Sequence, residues 1–172
     1  MIARKLTISW FVLCWSSFAT GSLAHAERLP APQGDVILTV DGNIANTTDG
    51  TSALFDRTML EALGMITLET TTPWTDGVVK FEGVSARKLL EAVGSQGEAI
   101  EAAALNDYIS EIPAKDFADY DVILALRANG VELTVRDKGP IFIVYPLDSR
   151  PELNNEDIYS RCVWQLTRLT VK

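Results

Sequence analysis

The dipeptide Asn129-Gly130 is the feature that most restricts the fold of this 172-residue chain. It separates two segments, the largely apolar VILALRA and the alternating VELTVRD, whose composition is typical of β-strands. Asn-Gly is favoured in two-residue hairpin turns because both positions adopt a positive φ. The sequence therefore predicts an antiparallel hairpin here and a sheet that is at least partly antiparallel.

Other short apolar segments also favour strands. DVILTVDG places Val36, Leu38 and Val40 on one face, and PIFIVYP (140–146) is apolar throughout. The segment NIANTTDGTSALF reads as a turn-rich connection. Further strands are predicted at 65–71, 78–84, 99–105, 107–112 and 162–171.

Helices are predicted to be few and short. Asp56 can cap a helix over 57–63, and Pro113 precedes a helical turn. The clearest helix begins after Ser85 and ends at Gly94, with Ala86, Leu89, Leu90 and Val93 forming its apolar stripe. Because strands and helices do not alternate regularly, we predict an α+β fold with mixed or antiparallel sheets and short helices.

The first 26 residues have the features of a secretory signal peptide. Arg4 and Lys5 precede an apolar stretch, and Ala24-His25-Ala26 offers a small-x-small cleavage site. We expect cleavage after Ala26 and a periplasmic or secreted protein without a transmembrane anchor. We also expect a polar lead-in over 27–34 and a single domain over 35–172.

Removing this leader changes which chemistry is available. The remaining 146 residues contain no histidine, one cysteine (Cys162), and thirteen basic against 23 acidic side chains, a formal charge of −10. Histidine-activated nucleophiles, histidine-ligated metals and an intramolecular disulfide are therefore excluded. Nucleic acid is a poor partner for so acidic a protein.

Three local patterns have ordinary explanations. Ser85 and Lys88 match S-x-x-K, the nucleophile motif of penicillin-binding proteins, but a serine before a helix is also a common N-cap. The loop 41–50 is rich in oxygen ligands but lacks calcium-loop spacing. Cys162, assigned to a strand, is interpreted as a small buried hydrophobe. We therefore predict no catalytic residue and no metal ligand at these positions.

Six segments in order resemble the molybdopterin-binding domain of the sulfite oxidase type. They are ILTVDGNI, DRTMLEALGMITLETT, FEGVSARKLLEAVG, NDYISEIPAKDF, LALRANGVELTVRDKGPIFIVYP and SRCVWQLTRLTV. The resemblance covers nearly all of 35–172 and implies that domain's fold. It also implies a cysteine thiolate on molybdenum in the loop after the MITLE strand, and a histidine and an arginine around a glycine-proline pair that serve the pterin phosphate.

The sequence departs from that implied site. The loop after MITLE contains threonines and no cysteine, and Asp137 and Phe142 stand near Gly139-Pro140 where cofactor-binding residues are expected. An aspartate would repel a phosphate, and phenylalanine cannot pair with it. We therefore expect no bound cofactor, with molybdopterin implied by the resemblance alone.

These observations predict an accessory or sensory module that binds a small polar ligand or a membrane sensor or redox partner. The expected ligand is polar or carboxylated and is steadied by Lys138 or Arg161. An active molybdopterin-dependent oxidoreductase with unconventional ligands stays open as the alternative. The candidate pocket residues are Thr70, Thr71, Thr72, Trp74, Tyr108, Lys138 and Arg161. The alternative left open is that the threonines merely finish a strand, where β-branched residues are favoured, and that Trp74 packs into the core.

Overall fold

The computed structural model describes residues 28–172, which form two β-sheets and short helices. The predicted signal peptide and its cleavage site lie outside the described residues. The strands are β1 (Val36–Gly42), β2 (Ala53–Asp56), β3 (Met65–Thr70), β4 (Val79–Ser85), β5 (Ala99–Ala104), β6 (Ile109–Pro113), β7 (Ile123–Ala128), β8 (Val131–Glu132), β9 (Phe142–Val144) and β10 (Leu166–Val171). The helices are α1 (Arg57–Ala62), α2 (Ala86–Val93), α3 (Ala114–Asp119) and α4 (Glu156–Arg161).

The first sheet has the strand order β2-β1-β10-β5-β6. Strands β1 and β10 run parallel, with Thr39 opposite Arg168, whereas the other neighbours are antiparallel. The C-terminal strand therefore lies in the middle of this sheet. Because one sheet is mixed, the other is antiparallel and the helices are short, the α+β prediction is confirmed.

The second sheet has the order β3-β4-β7-β8, with β9 paired to β7, and all these pairs are antiparallel. The hairpin prediction is confirmed, since Ala128 pairs with Val131 around Asn129 (φ 50°) and Gly130 (φ 80°). The strand predicted over 131–137 is too long. Strand β8 ends at Glu132, and residues 135–137 form a 3-10 turn.

Asp56 links the lead-in segment to the first helix. Its Oδ1 accepts the Met59 amide at 2.8 Å, and its Oδ2 accepts the amides of Gln33 at 2.8 Å and Gly34 at 2.9 Å. The predicted cap of α1 is therefore confirmed, and the same carboxylate also holds residues that precede β1. The Met59 amide is one of the donors at the helix start that have no partner within the helix.

Helix α2 corrects two expectations. The predicted apolar stripe is narrower than expected: Leu90 is only half-buried, whereas its other members, Ala86, Leu89 and Val93, are buried. Ser85 occupies the N-cap position without making a side-chain cap hydrogen bond. Its position as the last residue of β4 directs the backbone into the helix. The predicted end at Gly94 is confirmed by a left-handed φ of 61°.

Other element boundaries were also wrong. Residues 53–55, expected in a turn-rich connection, belong to β2, which pairs with β1 at the edge of the first sheet and buries Ala53 and Phe55. Cys162 lies at the C-terminal end of α4 and not in a strand; the last strand begins only at Leu166. Of the apolar segment 140–146, only Phe142–Val144 pairs as a strand.

The core lies between the sheets and helices, and its largest fully buried side chains include Tyr145, Phe81, Phe117 and Phe142. Within residues 28–172, the helices are all too short or too polar to cross a bilayer.

Candidate functional site

The candidate loop begins where β3 ends, at Thr70. The Thr70 hydroxyl is fully buried, accepts the Asp148 amide at 3.1 Å and donates to the Thr71 carbonyl at 3.2 Å. The Asp148 carboxylate in turn accepts the Thr71 amide at 2.8 Å and the Thr71 hydroxyl at 2.5 Å. We refer to Thr70, Thr71 and Asp148 as the strand-end clamp. It joins the end of β3 to the segment after β9.

Residues 72–75 form local hydrogen bonds with one another. The Thr72 amide donates to the Thr75 hydroxyl at 2.9 Å, and the Thr72 hydroxyl accepts the Trp74 amide at 3.3 Å. Thr72 is also buried. These are local side-chain-to-backbone turns of the kind that serine and threonine favour. The hydroxyls of the candidate threonines are therefore largely used within the protein.

Trp74 is the centre of an aromatic cluster. Its ring lies 5.1 Å from that of Trp164, at an interplanar angle of 88°, and 6.2 Å from Tyr159, at 73°. Its third edge-on neighbour is Phe142, at 6.3 Å. Such edge-to-face contacts are a favoured arrangement of aromatic rings. They hold Trp74 at a defined angle beside the threonine loop.

A cavity of about 320 Å³ lies beside this cluster. Tyr108, at the start of the β6 side of its hairpin, closes one wall, because its hydroxyl donates to the Ser160 carbonyl at 2.8 Å. Of the candidate residues, Trp74 and Tyr108 therefore share one cavity. Its lining residues are Trp74, Asn106, Tyr108, Glu156, Tyr159, Ser160, Cys162, Val163 and Trp164.

Two of the threonines face a different space. A second cavity, of about 260 Å³, is lined by Thr71 and Thr72 with Pro73, Leu147, Asn154 and Tyr159. Tyr159 borders both cavities. Four of the seven candidate residues are therefore divided between two adjoining cavities, and Thr70 lines neither of them.

The two candidate cations line neither of these cavities. The Arg161 guanidinium donates to Asp116 at 2.7 Å, and the Tyr145 hydroxyl donates to the same carboxylate at 3.0 Å. Asp116 is only 2% exposed, so this pair is an internal structural contact. Lys138 follows the 3-10 turn with a left-handed φ of 72°, and its carbonyl accepts the Gln165 amide.

Phe142 and Asp137, the residues near Gly139-Pro140, have structural contacts. Phe142 is fully buried, and its ring lies 5.8 Å from that of Phe81. Asp137 accepts the Thr134 hydroxyl at 2.6 Å. Neither side chain supplies a cation. The position where the resemblance implies an arginine is part of the aromatic core.

Cys162 is a buried thiol. Its residue is 4% exposed, and desolvation by burial raises the pKa of the thiol to about 12. A thiol with so high a pKa is protonated at neutral pH and is a poor nucleophile or metal ligand. The interpretation of Cys162 as a small buried hydrophobe agrees with this environment. In the described part of the chain, no group of three or more acidic, cysteine or histidine residues is placed to hold a metal ion.

The residues of this region that sequence reasoning missed include Asp148, Glu156, Tyr159 and Trp164. Asp148 reaches the threonine loop from 77 positions away, and helix α4, which carries Glu156 and Tyr159, was not predicted. A usable signal was present in Asn155, a favoured N-cap residue followed by Glu156 and Asp157. The side-chain oxygen of Asn155 does accept the Ile158 amide, at 3.1 Å.

Comparison with known proteins places this architecture in a family. The sequence model of the oxidoreductase molybdopterin binding domain matches residues 39–147, which is more than half of the chain. No curated protein matches the chain significantly. Strand β10, beyond the matched segment, lies between β1 and β5, so the C-terminal residues complete the same sheet. The chain therefore belongs to the oxidoreductase molybdopterin binding domain family.

Proposed function

We propose that this protein is an exported member of its family that has lost the molybdenum centre and binds a small ligand as an accessory or sensory module. The observation that carries the proposal is the strand-end clamp. Where the family resemblance implies a loop with a thiolate, the clamp presents the Thr70 and Thr71 hydroxyls, which are already bonded to Asp148.

The donor set around the loop does not fit a molybdenum–pterin group. A neutral hydroxyl lacks the soft anionic character of a thiolate, and the nearby thiol of Cys162 is held protonated by burial. Asp148 brings a negative charge to the loop, which disfavours an anionic pterin phosphate. Arg161, the cation expected to help, is bonded to Asp116. We therefore assign no catalytic step to this site.

The adjoining cavities support a binding role. The larger one has a volume of about 320 Å³, at the small end of the range typical for small-molecule sites. It combines apolar walls with a few polar groups, which is the usual character of such sites. A ligand bound there would contact Trp74 and Tyr108 and could signal through the loop or through α4 to a partner protein.

Family membership favours one alternative, an active molybdopterin-dependent oxidoreductase with unconventional ligands. Metal analysis separates the two. The protein is produced in a host that makes molybdopterin, and molybdenum and released pterin are measured per chain. We expect neither in the wild type. Stoichiometric molybdenum in the wild type would overturn the proposal.

Single cysteine variants test whether the strand-end clamp and the missing thiolate prevent molybdenum binding. Thr70→Cys, Thr71→Cys and Thr72→Cys are compared, each alone and with Asp148→Ala, and Thr75→Cys serves as the control in the same loop. We expect any gain of molybdenum to be confined to a strand-end cysteine and to be larger when Asp148 is removed. Equal uptake by Thr75→Cys would show that binding is nonspecific.

Export is tested by the mass of the mature N-terminus. We expect the exported protein to begin at Glu27, because Ala24-His25-Ala26 is the cleavage signal. Mature protein that retains Met1 would contradict both export by cleavage and the proposed location.

A further inference from the structure

Aromatic residues make up nearly half of the lining of the larger cavity. Four of its nine lining residues carry large aromatic rings: Trp74, Tyr108, Tyr159 and Trp164. Trp74 stands nearly perpendicular to Trp164 and steeply inclined to Tyr159, so the rings form a corner and not a flat stack. A corner of this kind offers ring surfaces from more than one direction to a single bound group.

The hydroxyl groups of the two tyrosines form hydrogen bonds with other groups of the protein. The Tyr108 hydroxyl donates to the Ser160 carbonyl, and the Tyr159 hydroxyl is hydrogen-bonded to Asn154. These bonds fix the rings in place and occupy the hydroxyls. What the tyrosines offer to a ligand is therefore mainly the ring.

The charge of the lining is negative. Glu156 is an exposed carboxylate in the first turn of α4, and the nine lining residues include no lysine or arginine. Arg161, next to the lining residues Ser160 and Cys162, is bonded to Asp116 outside the lining. The electron-rich faces of aromatic rings attract cations as well. The rings and the Glu156 carboxylate therefore both favour a positively charged ligand.

We propose that this cavity binds an organic cation, specifically a quaternary or methylated ammonium group held between the aromatic rings and Glu156. This inference rests on the proposed function and names its ligand class. It replaces the carboxylated ligand expected from Lys138 and Arg161, since neither cation lines the cavity. A methylated ammonium group suits the site because it is bulky, weakly hydrated and able to contact several rings.

An isosteric series of ligands tests the sign of the charge. Choline carries the trimethylammonium group, and neohexanol (3,3-dimethylbutan-1-ol) replaces it with a neutral tert-butyl group. The carboxylate 3,3-dimethylbutanoate, called tert-butylacetate below, combines the tert-butyl group with a negative charge. In the chain beginning at Glu27, the two tryptophans are Trp74 and Trp164, which both line the cavity. Their fluorescence therefore reports directly on the site, and calorimetry supplies an independent affinity.

We expect choline to bind at least about tenfold more tightly than neohexanol, as cation–π and carboxylate contacts together would give. Binding of tert-butylacetate should be the weakest. Equal affinities for all three, tighter binding of tert-butylacetate, or no response to choline at about 10 mM, far weaker than typical ligand affinities, would overturn the inference.

Matched variants locate the contacts. Glu156→Gln should weaken choline binding several-fold and leave the affinity for neohexanol unchanged. The control, Asp157→Asn, makes the same charge change one residue later, outside the lining, and should leave both affinities unchanged. Tyr108→Leu keeps apolar surface but removes a ring from an exposed position, and should reduce the preference for choline over neohexanol. Equal effects of the Glu156 and Asp157 variants on choline would contradict a direct contact.

Two further readouts distinguish related outcomes. Co-sedimentation with phosphatidylcholine vesicles would assign the ammonium group to a membrane lipid, whereas binding of free choline alone would assign it to a soluble compound. Molybdenum content is measured on the same preparation. Failure to bind choline in a molybdenum-free protein removes this ligand class but not the proposed function, whereas stoichiometric molybdenum overturns the proposed function itself.

Discussion

The carboxylate of Asp148 accepts both the amide and the hydroxyl of Thr71, a residue 77 positions earlier in the chain. The Asp148 amide also donates to the Thr70 hydroxyl, so the contact runs in both directions. It ties the end of β3 to the segment after β9. The loop that would hold the family's metal ligand is thereby occupied by bonds within the protein.

Asp148→Ala should loosen this loop. Removing the acceptors of Thr71 should speed hydrogen exchange at its amide and lower the free energy of unfolding by about 1 kcal/mol. Exchange measured by mass spectrometry on peptides covering 68–77 checks the first effect. Asp76→Ala removes an exposed carboxylate from the same loop and is the control. Unchanged exchange at Thr71 in the Asp148 variant would count against the clamp.

Leu89→Ala and Leu90→Ala should differ in cost although they are neighbours in α2. Leu89 is fully buried, so its truncation leaves a cavity and should cost about 2–5 kcal/mol. Leu90 is half-buried and should cost about 1 kcal/mol, in proportion to the smaller area it removes from water. Urea unfolding of both variants measures the difference. Equal losses would mean that the packing of α2 is assigned incorrectly.

Asn155→Ala and Ser85→Ala separate a bonded N-cap from one that makes no side-chain bond. Asn155 accepts the Ile158 amide at the start of α4, and its loss should cost about 1 kcal/mol. Ser85 makes no cap bond, so its replacement should change stability by less than about 0.5 kcal/mol. Thermal unfolding of the two variants provides the comparison. A larger loss for Ser85→Ala would restore the capping interpretation of that serine.

Asp56 should make stability depend on pH in the acidic range. The amides of Met59 and then Gly34 hold the pKa of this carboxyl below its usual 3.8. Because the folded pKa is depressed, its stabilising contribution is complete above the unfolded value and is lost as pH falls through the folded one. Asp56→Asn should therefore flatten the stability profile below about pH 4. Unfolding at a series of pH values tests this, with Asp76→Asn as the control, and parallel wild-type and Asp56→Asn profiles would refute it.

Cys162 should resist alkylation in the folded protein. Burial raises its pKa to about 12, so the reactive thiolate is scarce at neutral pH. In the chain beginning at Glu27 it is the sole cysteine, so mass spectrometry after iodoacetamide treatment follows it without interference. We expect labelling at pH 7 only after denaturation. Rapid labelling of the native protein would show an accessible thiol and reopen its role as a ligand.

Much of the fold was readable from local patterns. The Asn129-Gly130 hairpin followed from the φ values that the turn demands, and the α2 helix followed from its apolar spacing and its terminal glycine. The strand segments were recognised by alternation, which reports that one face is buried. These features depend on neighbours in the sequence, and they were predicted for that reason. At β2, tertiary pairing overrode the turn-like local sequence, whereas at α4 the local N-cap signal of Asn155 was present but was not used.

The candidate site could be predicted only in part from the sequence. Sequence reasoning selected Trp74 and Tyr108, which share the larger cavity, and it selected the threonine loop. It also grouped Lys138 and Arg161 with them, although both lie outside that lining. The pairing of Arg161 with the buried Asp116 could not be inferred, because the two residues are 45 positions apart.

The sequence by itself determined the absence of histidine after residue 26, the acidic charge, the hairpin and the lack of a cysteine in the loop after β3. Tertiary structure alone decided that Asp148 occupies the Thr70 and Thr71 hydroxyls and that Tyr159 lines two cavities. It also decided that Glu156, and not an arginine or lysine, gives the aromatic cavity its charge. Residue types and turn preferences are local properties, whereas the partners of a side chain depend on which distant segments the sheets bring together.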